Sequence, residues 1–81
     1  MSTYGEKLNQ AVAAELRAQR ARTRQTYDLI AAETGLAKAT VFKYLNGKRS
    51  IPLPALGDLC SVLGLSPDEV FVLAIKSAKE D

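Results

Sequence analysis

Histidine is absent from this 81-residue sequence, and cysteine occurs only once, at position 60 among leucines. A single thiol cannot form an intrachain disulfide, and a sequence without histidine lacks an ordinary set of zinc ligands. The sequence also contains no P-loop, no cluster of carboxylates and no nucleophile beside a base. We therefore expect a binding protein with no enzymatic activity, no cofactor and no metal.

Long hydrophobic runs are also missing. No stretch of 18 consecutive apolar residues occurs, and the N-terminus lacks the apolar core of a signal peptide. These absences predict a soluble, cytoplasmic protein. The composition, 47% hydrophobic and 25% charged, is that of a globular domain rather than a disordered chain. Because 81 residues without a linker or repeat provide one modest core, we expect a single domain over residues 1–81.

The net charge of +2 is unevenly distributed along the sequence. Residues 17–49 include eight basic and two acidic side chains, a net +6, whereas the remainder has three basic and seven acidic ones, a net −4. A basic field over one segment is typical of a protein whose partner is a polyanion. A solvated basic surface is the alternative, but the coincidence of this charge with a two-helix motif favours nucleic acid.

Helix signals divide the sequence into five segments, none of which is a convincing strand. The spacing of Thr3 and Glu6 is that of a capping box, so the first helix is predicted to begin near Tyr4 and to fray around residues 21–23. A fourth helix follows the proline-containing connection 51–54, with apolar residues at helical spacing. These patterns predict an all-α fold.

The most distinctive segment is residues 26–49, TYDLIAAETGLAKATVFKYLNGKR. Thr26 is predicted to cap one short helix, which Gly35 ends in the left-handed conformation. A second short helix is predicted over residues 38–45 and stops at Asn46. Two short helices joined by a tight turn are the minimum scaffold for placing one helix in the DNA major groove.

This segment and its flanks resemble the Cro and phage-repressor class of helix-turn-helix domains. The likeness extends over residues 16–70 and rests on three motifs in order: T-x-x-x-I-A-x-x-T-G-L, A-T-V-x-x-Y-L-N-G-K and L-x-x-L-C-x-x-L-G-L-S-P-D-E-V. The resemblance implies a five-helix, lambda-repressor-like domain whose helix-turn-helix core is residues 26–46. It also implies a DNA-binding transcriptional regulator of bacterial or phage origin, most simply a Cro-type or immunity repressor at a pseudo-palindromic operator.

By the same resemblance the third helix is the recognition helix. Lys38, Ala39 and Lys43 occupy positions that reach base edges, where lysine donates to guanine O6 and N7 and alanine meets a thymine methyl. Phe42 lies on the same outer side of the helix. Two roles are compatible with this position: contact with a thymine methyl, and packing over the end of the second helix. Phosphate contacts, which set register and give salt-dependent affinity, are expected from a further set. These residues are Arg20, Arg24, Thr26, Tyr27, Thr40, Asn46, Lys48 and Arg49.

Four positions depart from the family pattern. Tyr27 replaces a frequent glutamine at the start of the second helix, and Ala37 replaces the usual serine or threonine cap of the third, a loss of about 1 kcal/mol. Leu45 replaces a glutamate that pairs with an arginine of the first helix, so Arg20 is expected to be free to reach DNA. Arg24 replaces a common glycine and extends the basic strip.

The last predicted helix, residues 67–79, is apolar around its whole circumference over VFVLAI. One core face cannot bury all of these side chains, and a second copy most simply covers the surplus. Such a homodimer would place two recognition helices about one DNA turn, roughly 34 Å, apart. There are two alternatives. The protein could be a monomer with an apolar last helix, or VFVLAI could be a strand that pairs across a dimer. The Ser-Pro-Asp-Glu start favours a helix. The predicted dimerisation residues are Val70, Phe71, Leu73, Ala74 and Ile75.

Two other classes of function stay open. A protein-binding helical adaptor or an antitoxin could use the same fold, and partner binding by an adaptor would not depend on Lys38 and Lys43. A non-specific nucleoid-type protein would use charge alone. It would show no high ratio of specific to non-specific affinity at a fixed salt concentration.

Overall fold

Five helices account for most of residues 2–80, the part of the chain that this computed structural model describes. The all-α prediction is confirmed, and VFVLAI lies in a helix rather than in a strand. None of the described helices is long and apolar enough to cross a membrane. The helices are α1 (Tyr4–Thr23), α2 (Tyr27–Thr34), α3 (Lys38–Leu45), α4 (Leu53–Leu63) and α5 (Pro67–Glu80).

Local capping fixes the ends of the first three helices much as the sequence predicts, whereas α4 begins at Leu53, within the connection predicted over 51–54. The Thr3 hydroxyl accepts from the Glu6 N–H and the Glu6 carboxylate accepts from the Thr3 N–H, both at 3.1 Å, which completes the capping box of α1. Thr26 caps α2, and Gly35 ends it with φ 78°. At the start of α3, Ala37 makes no side-chain cap, so the predicted weakness is present.

One hydrophobic cluster includes residues from all five helices. α1 contributes Val12 and Leu16, and α5 packs along it through Val70 and Ala74. Both Tyr44 and Leu45 of α3 are buried. The cluster therefore anchors α3 on one side and leaves its other side to solvent.

The single cysteine, Cys60, lies fully buried in this cluster. Burial in apolar surroundings raises the pKa of its thiol above the ordinary value of 9.0, because the thiolate would be poorly solvated there. The protonated thiol behaves as a small apolar side chain.

Candidate nucleic-acid interface

The exposed side of α3 brings the four predicted base-contact residues together. Lys38, Ala39, Phe42 and Lys43 are all exposed, whereas the opposite side of the helix is buried. Together with Tyr27 from the start of α2, they line a shallow depression of about 530 Å³. We call this surface the recognition depression.

Two aromatic rings form the apolar part of the recognition depression. The Phe42 side chain is 49% exposed, and its ring centroid lies 5.6 Å from that of Tyr27 at an interplanar angle of 56°. This tilted arrangement is a favourable geometry for an aromatic pair. Phe42 thus packs against the start of α2 and still presents half of its surface to solvent.

Lys38 forms an ion pair across the helix-turn-helix. Its Nζ lies 3.2 Å from Asp28 Oδ1 and donates to Oδ2 at 3.3 Å. Both side chains are more than half exposed, and an exposed pair of this kind contributes at most about 1 kcal/mol. The pair therefore directs Lys38 towards α2 without holding it there strongly.

The predicted phosphate-contact residues fall into two groups. Arg24, Thr26, Lys48 and Arg49 are exposed, and the Thr26 hydroxyl keeps a hydrogen to donate while it accepts from the Leu29 N–H. Thr40, Tyr27 and Asn46 are partly buried, and the last two are joined by a hydrogen bond from Asn46 Nδ2 to the Tyr27 hydroxyl at 3.3 Å.

Arg20 is partly buried as well. Its guanidinium lies 4.8 Å from the centroid of the Tyr27 ring, and its Nη1 donates to the Gln25 carbonyl at 3.0 Å. The side chain is therefore engaged within the protein rather than free of contacts, and its contact with phosphate stays a prediction. A stacked arginine of this kind holds the aromatic ring in place.

Side chains of α1 brace the C-terminal end of α3. Arg17 Nη1 donates to the Leu45 carbonyl at 2.7 Å, and Gln10 Nε2 donates to the Gly47 carbonyl at 2.8 Å. The first contact places a cation at the C-terminal end of α3, where unpaired carbonyls and the helix dipole favour it. Sequence reasoning missed both residues, because nothing in the local pattern connects them to positions 28 and 37 residues away.

After α3 the chain continues through Lys48 and Arg49 to Ile51, which α1 also holds in place. The Asn9 side chain of α1 accepts from the Ile51 N–H at 3.0 Å. The two basic residues thus lie between two positions held by α1, which limits how far the segment can move. Such a segment is suited to contact a phosphate backbone at a defined register.

The predicted dimerisation residues do not share one surface. Val70 and Ala74 are buried against the protein's own core, and Phe71 and Ile75 are partly buried, which corrects the predicted face. Leu73 is 51% exposed, and Val72, which the prediction omitted, is 66% exposed. The exposed apolar part of α5 is therefore centred on Val72 and Leu73.

Among the described residues, no group of histidine, cysteine and acidic side chains could hold a metal ion. The arrangement on α2 and α3 instead combines exposed cations, aromatic surface and a braced helix end. These are features of a binding surface rather than of a catalytic centre.

Comparison with known families agrees with this geometry. The chain matches the helix-turn-helix domain over residues 11–72, a range that includes α2, α3 and α4 in full. It belongs to the helix-turn-helix domain family, whose members typically act in DNA-binding regulators and not as enzymes. No curated protein and no solved structure matched the chain.

Proposed function

We propose that this protein is a sequence-specific DNA-binding repressor that inserts α3 into the major groove of its operator. The observation that carries the proposal is the composition of the outer side of α3. Lys38 and Lys43 flank an apolar surface there, so the helix offers both donors for base edges and a contact for a thymine methyl.

The distribution of charge also supports a DNA-binding surface on α2 and α3. Lys48 and Arg49 are exposed just beyond α3, and Arg24 is exposed just before α2. Basic side chains therefore lie on both flanks of the helix-turn-helix, where they would meet phosphates as α3 enters the groove. Repression would follow directly from occupancy of the operator, because blocking access of RNA polymerase requires no additional contact.

A homodimer is the form in which we propose that the protein binds. Val72 and Leu73 leave an exposed apolar surface on α5, flanked by Asp68 and Glu69. Self-association through this surface would bury it and relate two recognition helices by a two-fold axis. The operator would then contain two half-sites about one helical turn apart.

The experiment that tests base reading uses duplexes that the wild-type protein selects from a random library. Lys43→Ala removes one donor to a base edge, and we expect affinity for the selected duplex to fall roughly tenfold or more at fixed salt. Affinity for a scrambled duplex should fall far less, because the specific contact is absent there. Fluorescence anisotropy with both duplexes measures the two changes.

The matched control is Lys79→Ala, which removes an exposed lysine near the end of α5. It should change neither affinity by more than about twofold, since one distant surface charge contributes little at physiological salt. Failure of the wild-type protein to enrich any duplex would reject sequence-specific binding. Equal losses for Lys43→Ala on both duplexes would instead support charge-only binding of the nucleoid type.

A further inference from the structure

We infer that the recognition depression is a pocket for the 5-methyl group of a pyrimidine in the major groove. The protein would then read thymine through its methyl, and 5-methylcytosine at the same position in the same way. This inference rests on the proposed function and deepens it, because it assigns the methyl contact to a preformed aromatic pocket and extends it to 5-methylcytosine.

The first argument is the apolar lining of the depression. Ala39 contributes a methyl group, and Phe42 and Tyr27 contribute ring surface. Half of the Phe42 side chain is exposed to water, an arrangement whose free energy improves when an apolar group covers it. In the major groove the C5-methyl group is the apolar feature that a base pair presents.

The second argument is that the aromatic rings are held in position before any ligand is bound. Tyr27 packs against Phe42, lies under the Arg20 guanidinium and accepts a hydrogen bond from Asn46 Nδ2. The same Asn46 nitrogen donates to the Phe42 carbonyl at 2.9 Å. A preorganised pocket loses little conformational entropy on binding, so a contact as small as one methyl group can affect affinity measurably.

The third argument concerns the charges around the depression. Lys43 lies on its rim, and Lys38 is directed towards Asp28. The ion pair draws the Lys38 ammonium to one side, so that the apolar floor is flanked by cations. This combination fits a methyl group on a polyanion better than an apolar peptide, which would provide no anionic partner for Lys43.

The test uses the duplex that the wild-type protein selects from a random, unmethylated library. Each thymine is replaced in turn by deoxyuridine, which removes only the methyl group. At one thymine in each half-site we expect binding to weaken roughly fourfold, the effect of exposing one methyl-sized group. At that same position a cytosine pair should bind roughly fourfold more tightly when it carries a 5-methyl group.

Phe42→Ala should reduce both methyl preferences to nearly onefold while the protein stays folded, because the side chain is half exposed. The matched control is Tyr4→Ala, which removes another half-exposed aromatic side chain, from α1, and should leave both preferences intact. Circular dichroism at rising temperature verifies the fold of both variants.

Three results would overturn the inference. Selection of a duplex in which no thymine is sensitive to loss of its methyl rejects the pocket while leaving specific DNA binding established. A fourfold preference that survives Phe42→Ala rejects the assignment of the pocket to this depression. If no duplex is selected at all, the proposed function fails and the inference fails with it, as it would if this surface bound a peptide instead.

Discussion

Among individual residues, Arg24 combines an unfavourable backbone conformation with a favourable charge. It lies directly after α1 with φ 59° and ψ 24°, and it is the only non-glycine residue with positive φ among the described positions. A side chain in this region costs roughly 1–2 kcal/mol relative to the right-handed conformation, and related domains often have glycine here. The arginine is exposed beside α2, where a phosphate contact would compensate for that cost.

This balance leads to a prediction for Arg24→Gly. We expect the free energy of unfolding to rise by about 0.5–1 kcal/mol, since glycine adopts positive φ without strain but gains entropy in the unfolded chain. DNA affinity should fall for specific and non-specific duplexes alike, and the salt dependence should weaken by about one unit of slope. Urea denaturation and anisotropy titrations at several salt concentrations measure these quantities.

The control for that change is Arg24→Asn, because asparagine tolerates the left-handed region but has no charge. It should show the same loss of affinity with a smaller gain in stability. Unchanged affinity and unchanged salt dependence in both variants would remove Arg24 from the set of phosphate contacts.

The roles of Arg20 and Tyr27 show where residue-level reasoning from sequence ends. The family pattern places both residues near the DNA, which the fold allows. The sequence does not reveal that the arginine stacks on the tyrosine ring, or that the tyrosine hydroxyl accepts from Asn46. Those contacts depend on how α1, α2 and the end of α3 pack together. The residue types along one sequence do not specify that packing.

The helix α3, which we propose as the recognition helix, is short, and its N-terminal end has no side-chain cap. Its eight residues extend over about 12 Å, and an isolated helix of this length would not be stable in water. Its N-cap is Ala37, whose side chain cannot accept a hydrogen bond from the first turn, and that turn contains no acidic residue. Tertiary packing through Val41, Tyr44 and Leu45 must therefore supply most of its stability.

We predict that Ala37→Ser stabilises the protein. Residue 37 already has an extended backbone, with φ −67° and ψ 145°, so a serine hydroxyl can accept from the N–H of Thr40 without rearrangement. The expected gain is about 1 kcal/mol, which corresponds to a rise in Tm of roughly 4–8 °C for a domain of this size. The preferred operator sequence should not change, because Ala37 precedes the side chains that we propose to contact the bases.

The control makes the same alanine-to-serine change inside a helix. Ala32→Ser alters an exposed residue inside α2, where serine is a poorer helix former than alanine, so Tm should fall slightly. Opposite shifts in the two variants would assign the gain to capping. A lower Tm for Ala37→Ser would show that the start of α3 does not have the geometry of an N-cap.

Helix ends were the most predictable part of the fold. The bounds of α3 and the caps at Thr3, Thr26 and Gly35 follow from short-range signals, and the structure agrees with them. The brace from Gln10 to the Gly47 carbonyl joins residues 37 positions apart. Short-range sequence patterns do not indicate such a contact. The sequence therefore predicts which residues form the candidate site, but not the α1 side chains that hold it in place.

For the whole molecule, the basic segment and the exposed apolar surface of α5 lie on different helices. Residues 17–49 have a net charge of +6, whereas α5 begins with Asp68 and Glu69 and presents Val72 and Leu73. A hydrogen bond from the Ser66 hydroxyl to the Asp68 carboxylate lowers the pKa of that carboxyl group below its ordinary value, because the bond favours the charged form. This segregation favours one surface for DNA and another for self-association.

The dimer proposal can be tested with Leu73→Lys. A lysine at the centre of an apolar interface would have to be desolvated on association, so we expect the sedimentation equilibrium to shift from dimer to monomer at tens of micromolar protein. The monomer should keep its fold, because half of the Leu73 side chain is already exposed and lysine has a high helix propensity. On the selected operator, the footprint should shrink from two half-sites towards one at limiting protein concentration.

Leu53→Lys provides the matched control, since Leu53 is 73% exposed but lies on α4. Both variants exchange an exposed leucine for lysine and raise the net charge equally, so any general effect of charge on self-association or DNA binding should appear in both. Loss of the dimer only in Leu73→Lys would locate the interface on α5. A wild-type protein that sediments as a monomer at these concentrations, or a dimer that persists in Leu73→Lys, would mean that the apolar surface of α5 does not join two copies, and the two half-sites would then have to be occupied independently.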